Sequence, residues 1–233
     1  MRNWRAIVFD MDDTLYPERD YVMSGFRAVS YWAETHMGIT SDTGFLELQS
    51  LYDRGVRGDT FDRWLTLHNT DGKTWVPRLI QIYREHEPAI KPFPEVPGLL
   101  SDLKTHYLLG LLSDGYLDVQ RRKLKALKLA EWFHAIAFSD EWGRDAWKPS
   151  TKPFEEILRR LGDLPAKDAI YVADNPAKDF LAARKSGLLS VEVRRFHGVY
   201  SRVDPPTPEH RPNFVIPSLN GLPAALLQLQ TDS

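Results

Sequence analysis

The chain has 233 residues, with 30 basic and 32 acidic side chains and a net charge of −2, so no global field draws it to a nucleic acid polymer or an anionic membrane. It has no cysteine, which excludes disulfides, thiolate metal sites and cysteine nucleophiles. Apolar residues make up 42%, enough for a sizeable core, yet no stretch approaches the roughly 18 apolar residues of a membrane span and no secretory leader is visible. The expectation is a soluble cytoplasmic protein, built as one large domain or as one domain carrying a smaller insertion.

The first predicted strand is Ala6–Phe9, an apolar run that ends in Asp10-Met11-Asp12-Asp13-Thr14. Three aspartates within four positions repel one another, and such a cluster at a strand end calls for a cation. Residues 17–92 then read as helices, at 21–36, 43–53, 60–68 and 75–86, with few strand signals. Trp64 and Trp75 fit a helical core better than a stacking platform. Prolines 88, 92, 94 and 97 stiffen the return from this insertion.

Strand and helix alternate from there. Strands are predicted at 107–112, 135–138, 169–172, 189–193 and 214–216. Helices are predicted at 99–105, 117–127, 154–161, 179–186 and 222–229. Apolar residues on both faces of the strands at 6–9, 107–112 and 169–172 point to buried parallel strands, and the alternation to an α/β fold with right-handed crossovers. Arg121, Arg122, Lys123, Lys125 and Lys128 read as a solvated helix face, and 194–211 as a surface loop.

In an open parallel sheet, ligands lie beyond the carboxyl ends of the strands. Those ends hold Asp10 and Asp12, then Ser113, Asp114 and Gly115, then Asp174, Asn175 and Asp179, with Lys148 ahead of the helix that leads to the fourth strand. Mg²⁺ takes hard oxygen ligands, which Asp10 and Asp174 can supply. An aspartate can attack phosphorus, and a second carboxylate in a different environment can protonate the leaving oxygen and later activate water. Ser113 and the amides of Asp114 and Gly115 can donate to phosphate oxygens, and Lys148 supplies a cation. Taken one at a time, each of these residues fits an ordinary cap, turn or surface side chain; their joint order at strand ends is what points to catalysis.

The chain resembles the haloacid dehalogenase superfamily of hydrolases. Its Asp-x-Asp-x-Thr motif is matched by Asp10-Met11-Asp12-Asp13-Thr14, its strand-ending Ser or Thr by Ser113, its Lys-Pro by Lys148-Pro149 with Phe154 six residues after Lys148, and its acidic pair by Asp174 and Asp179. The resemblance implies a Rossmann-like core, residues 1–16 and 93–233, with a helical cap, residues 17–92. It implies Asp10 as nucleophile and Mg²⁺ ligand, and Asp12 as general acid/base with its main-chain carbonyl also on the metal. It implies Ser113 and Lys148 as phosphoryl holders, Asp174 as the completing ligand, and Asp179 as a support for Lys148 or for metal-bound water. Asp13 faces away from the chemistry. Asp114 stands where Asn is frequent, Ala173 where Gly is, and Lys152, also before a proline, rivals Lys148.

Dehalogenases of the superfamily lack the second aspartate, so Asp12 favours phosphoryl transfer. The implied activity is a Mg²⁺-dependent phosphatase of a small phosphorylated metabolite, such as a sugar phosphate or nucleotide, working through an aspartyl phosphate. Arg54 and Arg57, in a glycine-bearing loop of the cap, are candidate substrate contacts. A phosphomutase with the same intermediate and a phospho-accepting signalling module are the alternatives.

Overall fold

The computed structural model describes residues 4–231. The chain forms two compact units: one holds the described residues up to Glu18 and from Lys91 onward, the other is Arg19–Ile90.

The second unit is helical: α1 (Glu18–Met37), α2 (Ser41–Asp53), α3 (Thr60–Leu67) and α4 (Gly72–Glu85). Its core gathers Phe26, Val29, Ala33, Leu48, Trp64, Leu65 and Leu79. The first turn of α2 is closed by the Thr40 hydroxyl, which accepts from the Thr43 N–H at 3.4 Å. Helix α4 starts three residues earlier than the apolar spacing suggests, because Asp71 caps it, accepting from the Lys73 N–H at 3.0 Å.

The first unit is α/β. Strands β1 (Ala6–Phe9), β2 (Leu108–Ser113), β3 (Ala135–Phe138), β4 (Ala169–Ala173), β5 (Leu189–Val193) and β6 (Phe214–Ile216) form one all-parallel sheet in the order β3-β2-β1-β4-β5-β6. Every residue of β1 and β4 is buried, as the two-faced apolar runs imply. The connecting helices are α5 (Val96–Lys104), α6 (Leu117–Leu127), α7 (Lys152–Arg160) and α8 (Asp179–Lys185), and α9 (Leu222–Thr231) follows β6. Helices α5 and α7 begin earlier than expected, because Pro97 and Pro153 sit in their first turns, where no N–H is needed. The strand at 107–112 shifts by one residue, so Ser113 is the last residue of β2.

The core on one face joins Val8 and Tyr171 of the sheet to Phe154, Ile157 and Phe180 of the helices. The chain leaves toward the helical unit and returns from it side by side, held by the Phe93 N–H donating to the Leu15 carbonyl at 2.9 Å. Residues 194–211 are more than a surface loop. The Val199 N–H donates to Asp13 Oδ2 at 2.6 Å, and the Arg195 guanidinium donates to the Thr14 carbonyl at 3.2 Å, so this stretch is tied to the turn after β1. Among the described residues no helix is long and apolar enough to cross a membrane.

Candidate active site

Strand order reverses between β1 and β4, and in a doubly wound sheet the ligand crevice opens there, beyond the carboxyl ends. Asp10 follows β1, its N–H donating to the Val172 carbonyl of β4 at 2.9 Å, and Asp174 follows β4. Ser113 ends β2 beside them. Lys148 arrives after β3 through two 3-10 turns, Ser139–Trp142 and Arg144–Ala146. Asp10, Ser113, Lys148, Asp174 and Asp179 are all buried.

Lys148 is the hub of this cluster. Its side chain is 0% exposed, and Nζ lies 2.6 Å from Asp10 Oδ1 and 2.6 Å from Asp179 Oδ1, and donates to the Tyr171 hydroxyl at 2.8 Å. Asp179 in turn accepts from the Tyr171 hydroxyl at 3.1 Å and from the Asn175 N–H at 3.1 Å. Burial works against the ammonium, but the charges of Asp10 and Asp179 hold Lys148 well above the ordinary lysine range. Burial pushes the Asp10 carboxyl up to about 7 against the pull of Lys148, with Asp179 and Asp12 adding to the rise. Lys152, the rival lysine, opens α7, and its N–H donates to Ser150 Oγ at 3.4 Å.

Asp174 is the group that lacks a counter-charge. Its Oδ2 is buried with no hydrogen-bond partner, and burial, then the charges of Asp10 and Asp179, raise it well above the usual carboxylate range. An orphaned hard oxygen beside a second crowded carboxylate suits a divalent cation, so the residues present fit Mg²⁺. Among the described residues no three acidic or imidazole side chains converge as a complete metal site. Two carboxylates and outside oxygens are the donors on offer, hard ligands that suit Mg²⁺.

Asp12 sits in different surroundings. Its Oδ1 accepts from Lys123 Nζ at 2.7 Å and from the Tyr16 hydroxyl, and its Oδ2 accepts from Gln120 Nε2 at 2.9 Å. Burial raises its carboxyl, but the Lys123 charge and the donors from Lys123, Tyr16 and Gln120 outweigh that and leave it lowered. Two carboxylates two positions apart are therefore pushed in opposite directions, the pattern of divided acid–base labour. Lys123 corrects the reading of the basic run as a solvated face: Arg121, Arg122, Lys125 and Lys128 are exposed, while Lys123 is buried. Gln120, Tyr16 and Tyr171 were also missed. Lys123 and Gln120 share a helix face with the apolar stripe, the one available signal for them.

The remaining candidates hold structure. Asp114 does not present a free carboxylate: it accepts from Ser139 Oγ at 2.5 Å and from the Lys148 N–H at 3.1 Å, with Lys178 Nζ 3.4 Å away. It thereby seats the main chain that carries Lys148. Asn175 Oδ1 accepts from the Ala177 N–H at 3.0 Å and shapes the turn into α8. Asp13 accepts from the Glu18 and Val199 N–H groups at 2.8 and 2.6 Å, which sets it apart from the cluster around Lys148. Arg57, in the helical unit, donates to the Tyr52 and Val56 carbonyls at 2.8 Å each and stacks on the Tyr52 ring at 3.6 Å. Arg54 closes α2, its N–H donating to the Ser50 carbonyl at 3.1 Å.

Residues 7–193 match the family of haloacid dehalogenase-like hydrolases. The chain belongs to this family. It is 31% identical over 221 residues to a glyceraldehyde 3-phosphate phosphatase of Methanopyrus kandleri, covering 91% of this chain and 92% of that one. A glyceraldehyde 3-phosphate phosphatase of Methanothermobacter thermautotrophicus is 29% identical over 197 residues, covering 81% and 85%. Among solved structures, a HAD-hydrolase of Bacillus subtilis bound to magnesium superposes with a TM-score of 0.70 at 18% identity, covering 97% of this chain and 99% of that one, a likeness of fold. Within the family the chain is a phosphoric monoester hydrolase, so the reading as a phospho-accepting signalling module falls away.

Proposed function

We propose that the protein is a Mg²⁺-dependent phosphatase of a small phosphomonoester that works through an aspartyl phosphate on Asp10. The observation that carries this reading is the opposed setting of Asp10 and Asp12: one carboxylate is crowded by Asp174 and Asp179 and held by Lys148, the other is clamped by Lys123 and Gln120. Asp10, Asp174 and the Asp12 main-chain carbonyl would hold Mg²⁺. When bound, the ion supplies positive charge that lets an anionic carboxylate approach an anionic phosphate.

Asp10 attacks phosphorus, forming an O–P bond as the bond to the leaving oxygen breaks. Asp12 gives that oxygen a proton and the alcohol departs. The entering dianionic phosphate raises the proton affinity of Asp12, so the carboxylate takes up a proton from solvent as the substrate binds, and the proton it later takes from water either serves the next turnover or returns to solvent. In the second half, Asp12 takes a proton from water, the water oxygen bonds to phosphorus, and the Asp10–phosphorus bond breaks. The sum is ester plus water to alcohol plus phosphate. Lys148 and the Ser113 hydroxyl stabilise the growing negative charge on the phosphoryl oxygens. Asp179 and Tyr171 aim Lys148, and Asp114 seats its main chain.

Residues 17–92 serve in this reading as the cap that selects the leaving group. Triose phosphates head the substrate panel, because both relatives are named for one. The experiment is phosphate release from a panel of phosphorylated metabolites with Mg²⁺, for the native protein and for Asp10→Asn. Release by the native protein only is expected. Equal turnover by Asp10→Asn overturns the assigned nucleophile, and isomerised product without free phosphate overturns hydrolysis in favour of a mutase.

A further inference from the structure

We infer that Lys123 and Gln120, three residues apart on α6, are positioning residues that hold Asp12 in the orientation its proton transfer requires and tie it to Ser113. The inference rests on the reading of Asp12 as the general acid/base and names what makes that residue competent.

Four of the five basic residues of this stretch point to solvent, as basic side chains on a surface helix do. Lys123 does not: its side chain is 7% exposed, and Nζ lies 2.7 Å from Asp12 Oδ1. A buried ammonium is costly without a partner, and its partner here is the second motif aspartate. Residues three apart on a helix share a face, and Gln120 lies on the same face as Lys123. Its Nε2 is 2.9 Å from Asp12 Oδ2, 2.7 Å from Ser113 Oγ and 2.5 Å from the Asp114 carbonyl. With Lys123 and Tyr16 on one Asp12 oxygen and Gln120 on the other, the carboxylate is held from both ends and cannot turn about its terminal bond. The same amide reaches the end of β2, so Asp12 and Ser113 are placed by one side chain.

The turn between β2 and α6 is shaped for this contact. Gly115 has φ +127°, and a Cβ there would lie 3.0 Å from Gln120 Cδ. A side chain at 115 would be strained and would push on the amide that bridges Asp12 and Ser113.

The test compares kcat/KM, with Mg²⁺, across alkyl and aryl phosphates of graded leaving-group pKa, for Lys123→Met, Lys123→Arg, Gln120→Leu and Asp12→Asn. A misplaced acid hurts poor leaving groups most, whereas a general structural defect lowers every substrate alike. Lys123→Met is expected to lose about 10- to 100-fold on alkyl phosphates but no more than about threefold on nitrophenyl phosphate. Lys123→Arg should recover most of the loss, and Gln120→Leu should show the same tilt more weakly. Should Lys123→Met not fold, Lys123→Gln, which keeps a donor without the charge, carries the same expectation. An equal loss on all substrates, or none, overturns the inference. Asp12→Asn separates the two layers: if it does not steepen the leaving-group dependence, the acid role of Asp12 itself fails; if it does and Lys123→Met does not, only the positioning role fails.

Discussion

The two units treat charge in opposite ways. In the helical unit the only polar side chain buried among the described residues is Ser30, whose hydroxyl donates to the Phe26 carbonyl at 2.8 Å. Its Arg–Asp pairs, Arg19 with Asp53, Arg27 with Asp42 and Arg63 with Asp59, are exposed, and His68 meets Glu47 in a half-buried contact. In the α/β unit Asp10, Asp13, Asp114, Lys123, Lys148, Asp174, Asp179 and Glu192 are all buried. Burying ions without full compensation costs stability, so a unit optimised for stability alone resembles the helical one. The excess of buried carboxylates at one end of the sheet marks where the molecule is organised for chemistry.

Variants at the two kinds of site should separate this contrast. The largest effect is expected for Lys148→Met, which leaves Asp10 and Asp179 facing each other uncompensated. Turnover should be lost, and about 3–5 kcal/mol of stability with it, read by phosphate release and urea unfolding. Leu79→Ala, in the fully buried core of the helical unit, should cost about 2–5 kcal/mol through a cavity, with a loss that does not change between pH 5 and 8. A pH-independent penalty for Lys148→Met would contradict the contrast.

A third effect is metal- and pH-linked. Burial raises Asp10 to about 7 and Glu18 to about 7, both above their unfolded values. The native state then binds more protons than the unfolded one, so in chelator the protein should lose stability as pH rises from about 4 through about 7. Mg²⁺ should offset that loss, raising Tm more at pH 8 than at pH 5, as read by thermal melts with and without the ion. The smallest effect is expected for Arg63→Ala, whose exposed pair with Asp59 should matter by no more than about 0.5 kcal/mol in urea unfolding, and less at high salt.

Much of the fold was readable beforehand. Strands at Ala6–Phe9, Ala135–Phe138, Leu189–Val193 and Phe214–Ile216 fall where apolar runs and turn residues put them. Boundaries slipped at α4, α5 and α7, where a cap or a proline in the first turn extended the helix beyond its apolar stripe. The two carboxylates now held by Lys148 were recognisable because Asp10 follows a strand and Asp179 opens a helix. Lys123, Gln120 and Tyr171 were not, because a side chain inside a regular helix or strand carries little local mark of what it meets across the fold, and Tyr16 lies in the turn between β1 and α1 with no pattern around it. Asp114 shows the converse: the sequence singles out its amide as a donor to phosphate, and the structure gives its carboxylate a further task, orienting the Lys148 main chain.

The sequence by itself determined that aspartates 10, 12 and 174 and Lys148 would stand at the carboxyl end of a parallel sheet. Periodicity and strand ends are local properties of a chain, and sheet topology sends all such ends to one side. Only the tertiary structure decided which carboxylate each lysine would hold. Lys148 goes to Asp10 and Asp179, and Lys123 to Asp12, leaving Asp174 with an orphaned oxygen. Those pairings span up to 138 positions in the chain and depend on packing at the scale of an ångström, which no local pattern encodes.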